Sequence, residues 1–314
     1  MIPSKDDIVK AHQRIQSYIH RTPLEHCESI DKICGAKIHF KCENLQKAGA
    51  FKSRGASNAV FKLIESGFQG RVATHSSGNH AQALSRVAKY SGIQAHVVMP
   101  ENSLKSKVDA VKEYEADITF CSPTLEARES TLAKVMSEVE AVEIHPYDNY
   151  DIIAGQATAA KEIIEEYSPD IIVAPVGGGG LLSGTALASR YFGNNVKVFA
   201  AEPEMANDAR KSFESRTFVP SINPQTIADG LRTSLGELTF PIILDHVHEI
   251  LTVDEESIIK AMRLMWERAK IMAEPSSATA LAIVMNNPEV FAGKEIAVIV
   301  SGGNADLNNL PWTK

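Results

Sequence analysis

At 314 residues, the chain is about twice the usual domain size and calls for one large domain or two modest ones. An apolar fraction of 44%, a charged fraction of 23% and a formal net charge of −7 are those of an ordinary globular protein; with no basic stripe interleaved with aromatics, a nucleic-acid partner is not expected. No apolar run reaches the length of a membrane span, residues 1–7 lack the basic region and apolar core of a signal peptide, and Cys27, Cys34, Cys42 and Cys121 form no C-x-x-C pair; a cytoplasmic protein with reduced thiols is expected.

The first element is a helix over 4–19. Ser4 caps it, Asp7 sits three residues on, and Ile8, Ala11, Ile15 and Ile19 share a face. His20-Arg21-Thr22-Pro23 breaks it. Residues 37–43 alternate as a strand, with Ile38, Phe40 and Cys42 on one face and Lys37, His39 and Lys41 on the other. After a turn carrying Gly49, a helix opens at Lys52 and Ser53 and ends before Gly67.

Strands and helices then alternate. Strands are expected over 71–76, 94–99, 117–121, 141–145, 170–176, 196–201, 250–253 and 295–300. Helices are expected over 81–90, 104–114, 125–139, 152–167 (interrupted by Gly155), 181–192, 254–271 and 276–285. The run 170–176 is almost wholly apolar, as a parallel strand buried on both faces should be. The alternation predicts an α/β protein with mostly parallel sheet.

In such sheets ligands sit beyond the carboxyl ends of strands, and four loops there carry chemistry. Lys52 lies in the first turn of a helix, where unpaired N–H groups disfavour a cation. The neutral amine is the form that attacks carbonyls, although a solvated lysine satisfies the same pattern. His75-Ser76-Ser77-Gly78-Asn79-His80 suits either an anion site or a plain helix cap. Gly177-Gly178-Gly179-Gly180 costs backbone entropy that only a close guest justifies, a phosphate by preference. Neither the Walker pattern nor G-x-G-x-x-G fits, although Glu202 at the end of the next strand keeps a dinucleotide reading open. Ser301, before Gly302 and Gly303, adds a hydroxyl at the same edge or simply starts a turn. One lysine seeking an electrophile and two anion sites suit pyridoxal phosphate with an amino acid.

Lys52 within Gly49-Ala-Phe-Lys-Ser-Arg-Gly-Ala56, the Ser76–His80 loop, the tetraglycine, Glu274-Pro275 and Ser301-Gly-Gly-Asn304 together resemble the serine racemase and serine/threonine dehydratase family of fold-type II pyridoxal phosphate enzymes. The resemblance runs over essentially the whole chain. It implies a tryptophan synthase β-like fold of two parallel-sheet domains with flanking helices: a large cofactor-binding domain of residues 1–70 plus 149–314, and a small mobile one of 71–148. It implies that Lys52 holds the cofactor and acts as base on one face of the substrate Cα. Phe51 would back the ring, Asn79 bond the ring hydroxyl, Gly177, Gly178, Gly179, Gly180 and Leu181 hold the phosphate, and Ser301 face the ring nitrogen. Ser76, Ser77, Gly78, Asn79 and His80 would hold the substrate carboxylate.

Catabolic dehydratases usually carry alanine at the place of Ser77, and racemases carry serine, whose hydroxyl returns a proton from the other face; a structural loop hydroxyl is the alternative. Glu202, Ala206 and Asp208 match the family's divalent-metal site, for Mg²⁺, Ca²⁺ or Mn²⁺. The loop 146–150 departs from mammalian members toward microbial dehydratases and lacks the serine run of aspartate-acting relatives. The chain ends soon after Asn304, so a C-terminal regulatory domain is not expected. The implied activity is racemisation of serine with elimination from serine and threonine. The implied assembly is a homodimer, with ATP open as an activator. A dehydratase acting chiefly on threonine, serine or 3-hydroxyaspartate, a nicotinamide-dependent dehydrogenase and a non-catalytic amino-acid sensor stay open beside it.

Overall fold

A computed structural model describes residues 1–313. Its strands are β1 (Leu24–His26), β2 (Lys37–Cys42), β3 (Arg71–His75), β4 (Gln94–Pro100), β5 (Asp117–Cys121), β6 (Ala141–Glu143), β7 (Ile171–Pro175), β8 (Lys197–Pro203), β9 (Glu249–Val253) and β10 (Glu295–Val300). They form two sheets. The larger has the order β1-β2-β10-β7-β8-β9 and the smaller β5-β4-β3-β6. Every pairing is parallel except β1 with β2. The chain is therefore an α/β protein with two parallel-sheet domains, as expected.

Both faces of the large sheet are buried. Ile38, Phe40, Cys42, Val173, Ile296 and Val298 pack on one side with the Pro275–Asn286 helix. Ile172, Ala174, Val176, Ala297 and Ile299 pack on the other with the helices Tyr150–Glu166 and Gly180–Phe192. This explains why the central strands β7 and β10 are almost wholly apolar instead of alternating. Within the described residues, no helix is long and apolar enough to cross a membrane, and all four cysteines are free.

Three helices meet almost backbone to backbone. A Cβ added to Gly155 would lie 2.6 Å from Gly55 Cα and 2.7 Å from the Arg54 carbonyl oxygen, and one added to Gly184 would lie 2.7 Å from Ala157 N. The glycine expected to interrupt the Tyr150–Glu166 helix thus leaves it continuous. Its missing side chain lets the Lys52–Glu65 helix dock against one side, while the Gly180–Phe192 helix docks against the other. The two helix starts that carry Lys52 and the tetraglycine are thereby held against one common support.

A second finding concerns Lys41, which alternation places on the face opposite Ile38, Phe40 and Cys42. It is fully buried, and its Nζ donates to Glu162 and to the Thr22 carbonyl, each at 2.7 Å. Beside it Arg54, also fully buried, is bonded through Nε and Nη2 to Glu43 at 2.7 Å and through Nη1 to Glu162 at 2.7 Å. Two cations and two carboxylates, all without solvent contact, lock the end of β2, the first turn of the Lys52–Glu65 helix and the Tyr150–Glu166 helix together. The short strand β1 and the helices Glu28–Cys34, Asp208–Ser215 and Thr239–His246 were not anticipated.

Candidate active site

The expected site residues come from the carboxyl ends of both sheets. Lys52 follows β2, Ser301 follows β10, the tetraglycine follows β7, the Ser76–His80 loop follows β3, and Pro146 lies just past β6. Lys52 is the first residue of its helix, with no side chain capping it. Its half-buried amine donates to the Pro146 carbonyl oxygen at 2.6 Å and stands 5.1 Å from the centre of the Phe51 ring. Burial lowers its pKa to about 8, so roughly a tenth of the amine is neutral near pH 7, against well under about a thousandth at the ordinary lysine pKa. The solvated-lysine alternative therefore gives way.

Gly179 has φ +89°, the left-handed conformation that caps the Gly180–Phe192 helix. A Cβ on Gly178 would fall inside the Tyr147 ring, and one on Gly180 would lie 3.0 Å from Tyr147 Cβ. Among the described residues, no protein acceptor takes a hydrogen bond from the N–H groups of Gly177 through Leu181. Consecutive unpaired N–H groups at a helix start form an anion site, and the residues present fit a phosphate.

Ser301 is buried. Its hydroxyl lies 3.0 Å from that of Ser277, and its carbonyl accepts from Phe51 N at 2.9 Å, tying the end of β10 to the Lys52 helix. Asn79 donates to Glu274 Oε1 at 2.7 Å and accepts from Asn304 Nδ2 at 2.9 Å. Burial pushes Glu274 up to about 7. Glu274 and Ser277 had no assigned role from sequence; the only signal was the Glu274-Pro275 pair. Lys107, also not anticipated, is buried across Gly78 and bonded to Asp229 at 2.5 Å.

The residues Ser76 to His80 lie together where the Asn79–Ser91 helix begins, with Ser76, Ser77 and Asn79 half-buried and Gly78 and His80 buried. His80 donates from Nε2 to the Ile144 carbonyl oxygen at 2.9 Å, and burial drives its pKa well down, keeping it neutral.

Glu202 lies near the end of β8, and Ala206 and Asp208 follow it. Both oxygens of Glu202 accept backbone N–H groups, from Ala209 and Arg210 at 2.8 Å each, so the acid caps the Asp208–Ser215 helix. Neither oxygen of the buried Asp208 has a partner. Burial pushes Glu202 to about 8 and Asp208 to about 6. Two desolvated carboxylates, one with no protein partner, fit a hard divalent cation.

The family model described as pyridoxal-phosphate dependent enzyme matches residues 15–302. A beta-hydroxyaspartate dehydratase from Paracoccus denitrificans is 46% identical over 312 residues, 99% of either chain. A serine racemase from Dictyostelium discoideum is also 46% identical, over 97% of this chain and 95% of that one. The solved structure of maize serine racemase superposes with a TM-score of 0.96 at 41% identity, covering 100% of this chain and 97% of that one. With its lysine at a helix start, its unpaired glycine N–H groups and these full-length similarities, the chain belongs to the family of pyridoxal-phosphate dependent enzymes.

Proposed function

We propose that the protein is a serine racemase that also eliminates water and ammonia from serine and threonine. The carrying observation is the half-buried Lys52 amine, its pKa lowered by burial, on one support with the tetraglycine N–H groups, beside a loop bearing Ser77. When bound, pyridoxal phosphate supplies the electron sink that makes an amino-acid Cα–H bond acidic.

The residues of this chain do the rest. The N–H groups of Gly177 to Leu181 hold the phosphate, Phe51 backs the ring, Asn79 meets the ring hydroxyl, and Ser301 presents a neutral hydroxyl to the ring nitrogen. The Ser76–His80 loop binds the substrate carboxylate. Lys52 removes the Cα proton from one face. Ser77 either returns a proton to the other face, giving D-serine, or the β-hydroxyl departs and the products are pyruvate, or 2-oxobutyrate from threonine, with ammonia. The relatives support both outcomes, since racemases and hydroxyaspartate dehydratases stand at equal similarity.

Incubation with L-serine is expected to yield D-serine and pyruvate together. Ser77→Ala should lose racemisation and keep much of the elimination. Pyruvate alone from the unaltered protein would move the assignment to the dehydratase reading, and equal loss of both products in Ser77→Ala would remove the role given to Ser77.

Residues 71–148 act as the small mobile domain, closing on the large one formed by 1–70 and 149–314 and excluding water. A divalent cation, Mg²⁺ by preference, binds Glu202, the Ala206 carbonyl and Asp208, with waters completing the shell. Millimolar Mg²⁺ or Ca²⁺ should raise the melting temperature, with a stabilisation of about 2–3 kcal/mol at a hundredfold excess over Kd. Asp208→Asn should abolish that shift, and an unaltered protein indifferent to both ions would reject the site. The assembly is a cytoplasmic homodimer, and ATP is a candidate activator to be tested in the same assay.

A further inference from the structure

His75, Glu143 and His145 converge, each bringing one ligand-capable atom within 4.8 Å of the others. They lie across β3 and the end of β6: Ala73 pairs with Glu143, so residues two further along each chain, His75 and His145, face each other. The set looks like a metal centre, but the hydrogen bonds of His145 say otherwise. Its Nδ1 accepts the backbone N–H of Asp148 at 2.8 Å and that of Tyr147 at 3.4 Å. In a neutral imidazole that leaves the proton on Nε2, so neither nitrogen offers a lone pair to a metal. Burial and the nearby Lys52 charge lower the pKa of His145 to about 4, which keeps Nδ1 an acceptor at physiological pH.

The turn that His145 fastens touches both ends of the site. Its Pro146 carbonyl receives the Lys52 amine. Its Tyr147 side chain covers Gly178 and Gly180. Its Asp148 carboxylate accepts the N–H groups of Glu237, at 3.1 Å, and Leu238, at 2.8 Å, at the head of the Thr239–His246 helix. From that helix Thr239 Oγ1 donates to the Gly178 carbonyl at 2.8 Å. One imidazole therefore holds a continuous chain of contacts from the amine to the phosphate loop.

We propose that His145 is a positioning residue that sets Lys52 against the tetraglycine loop, acting through the Pro146–Asp148 turn. The proposal rests on the assignment of Lys52 and the glycines to pyridoxal phosphate, and its test separates the two. Asparagine can place an acceptor oxygen where Nδ1 stands; glutamine places its amide beyond it, and leucine places none. Apoprotein of the unaltered chain and of His145→Asn, His145→Gln and His145→Leu would be titrated with pyridoxal phosphate, following visible absorbance, with a thermal melt of each. kcat and KM for L-serine would be measured alongside.

The unaltered chain should become coloured, and failure there would reject the cofactor assignment itself. Given colour, His145→Asn should keep its cofactor Kd within about threefold. His145→Gln and His145→Leu should weaken binding on the order of ten- to thirtyfold, the loss of two backbone hydrogen bonds, and lower kcat with little change in KM. Should leucine fail to fold, the glutamine variant carries the same comparison. Equal binding by Asn, Gln and the unaltered chain, or equal loss in Asn and Gln, overturns the proposal.

Discussion

Replacing Lys52 with alanine is expected to abolish turnover of L-serine, lowering kcat by at least about a thousandfold, because one substitution removes both the attacking amine and the base on its face of Cα. The structure adds a pH signature. A lysine at its ordinary pKa would keep gaining reactivity to pH 10 and beyond, whereas burial lowers Lys52 to about 8. The rate at which apoprotein takes up pyridoxal phosphate should therefore climb through about pH 8 and level off above about pH 9. A stopped-flow record of visible absorbance across pH checks this. A plateau absent until pH 10 would mean that the amine is solvated, and substantial turnover by Lys52→Ala would place the chemistry elsewhere.

The largest effect on stability is expected at Arg54. Arg54→Met leaves Glu43 and Glu162 buried, the latter still paired with Lys41. Stranding a buried carboxylate costs about 3–5 kcal/mol, a large share of the 5–15 kcal/mol that holds a typical domain together. Arg54→Lys should recover only part of it, because an ammonium cannot reproduce the bonds Arg54 makes through three nitrogens to two acids. Denaturant unfolding of both variants measures this; a loss under about 1 kcal/mol in Arg54→Met would show that water reaches the network.

The features read correctly from sequence are those whose cause is local. Lys52, the tetraglycine and Ser301 follow strand ends, and a strand end before a helix can be seen in the residues themselves. The Ser4 cap is of the same kind: both bonds of its capping box with Asp7 are present. What escaped was set by distant partners. The Thr239–His246 helix carries no side-chain cap of its own, and the N–H groups before it are met by Asp148, some ninety residues earlier in the chain. The burial of Lys41 escaped because its partner Glu162 lies 121 positions away. Gly155 reads as a helix breaker because the helix pressed against it is invisible in one dimension. Glu274 and Ser277 were hidden for the same reason: their bonds to Asn79 and Ser301 close only in the fold.

The order of the large sheet has a consequence for how the protein is made. β10, which is synthesised after β1 through β9, is the strand inserted between β2 and β7. Until it arrives, those two strands have bare edges, which invite pairing with other chains. The sheet of β3 to β6 is built from four strands consecutive in the chain and can close early. Since Ser301 follows β10 directly, the cofactor's seat is completed only once β10 has been made, and nascent chains stalled before residue 295 should aggregate instead of waiting in a half-built, binding-competent form.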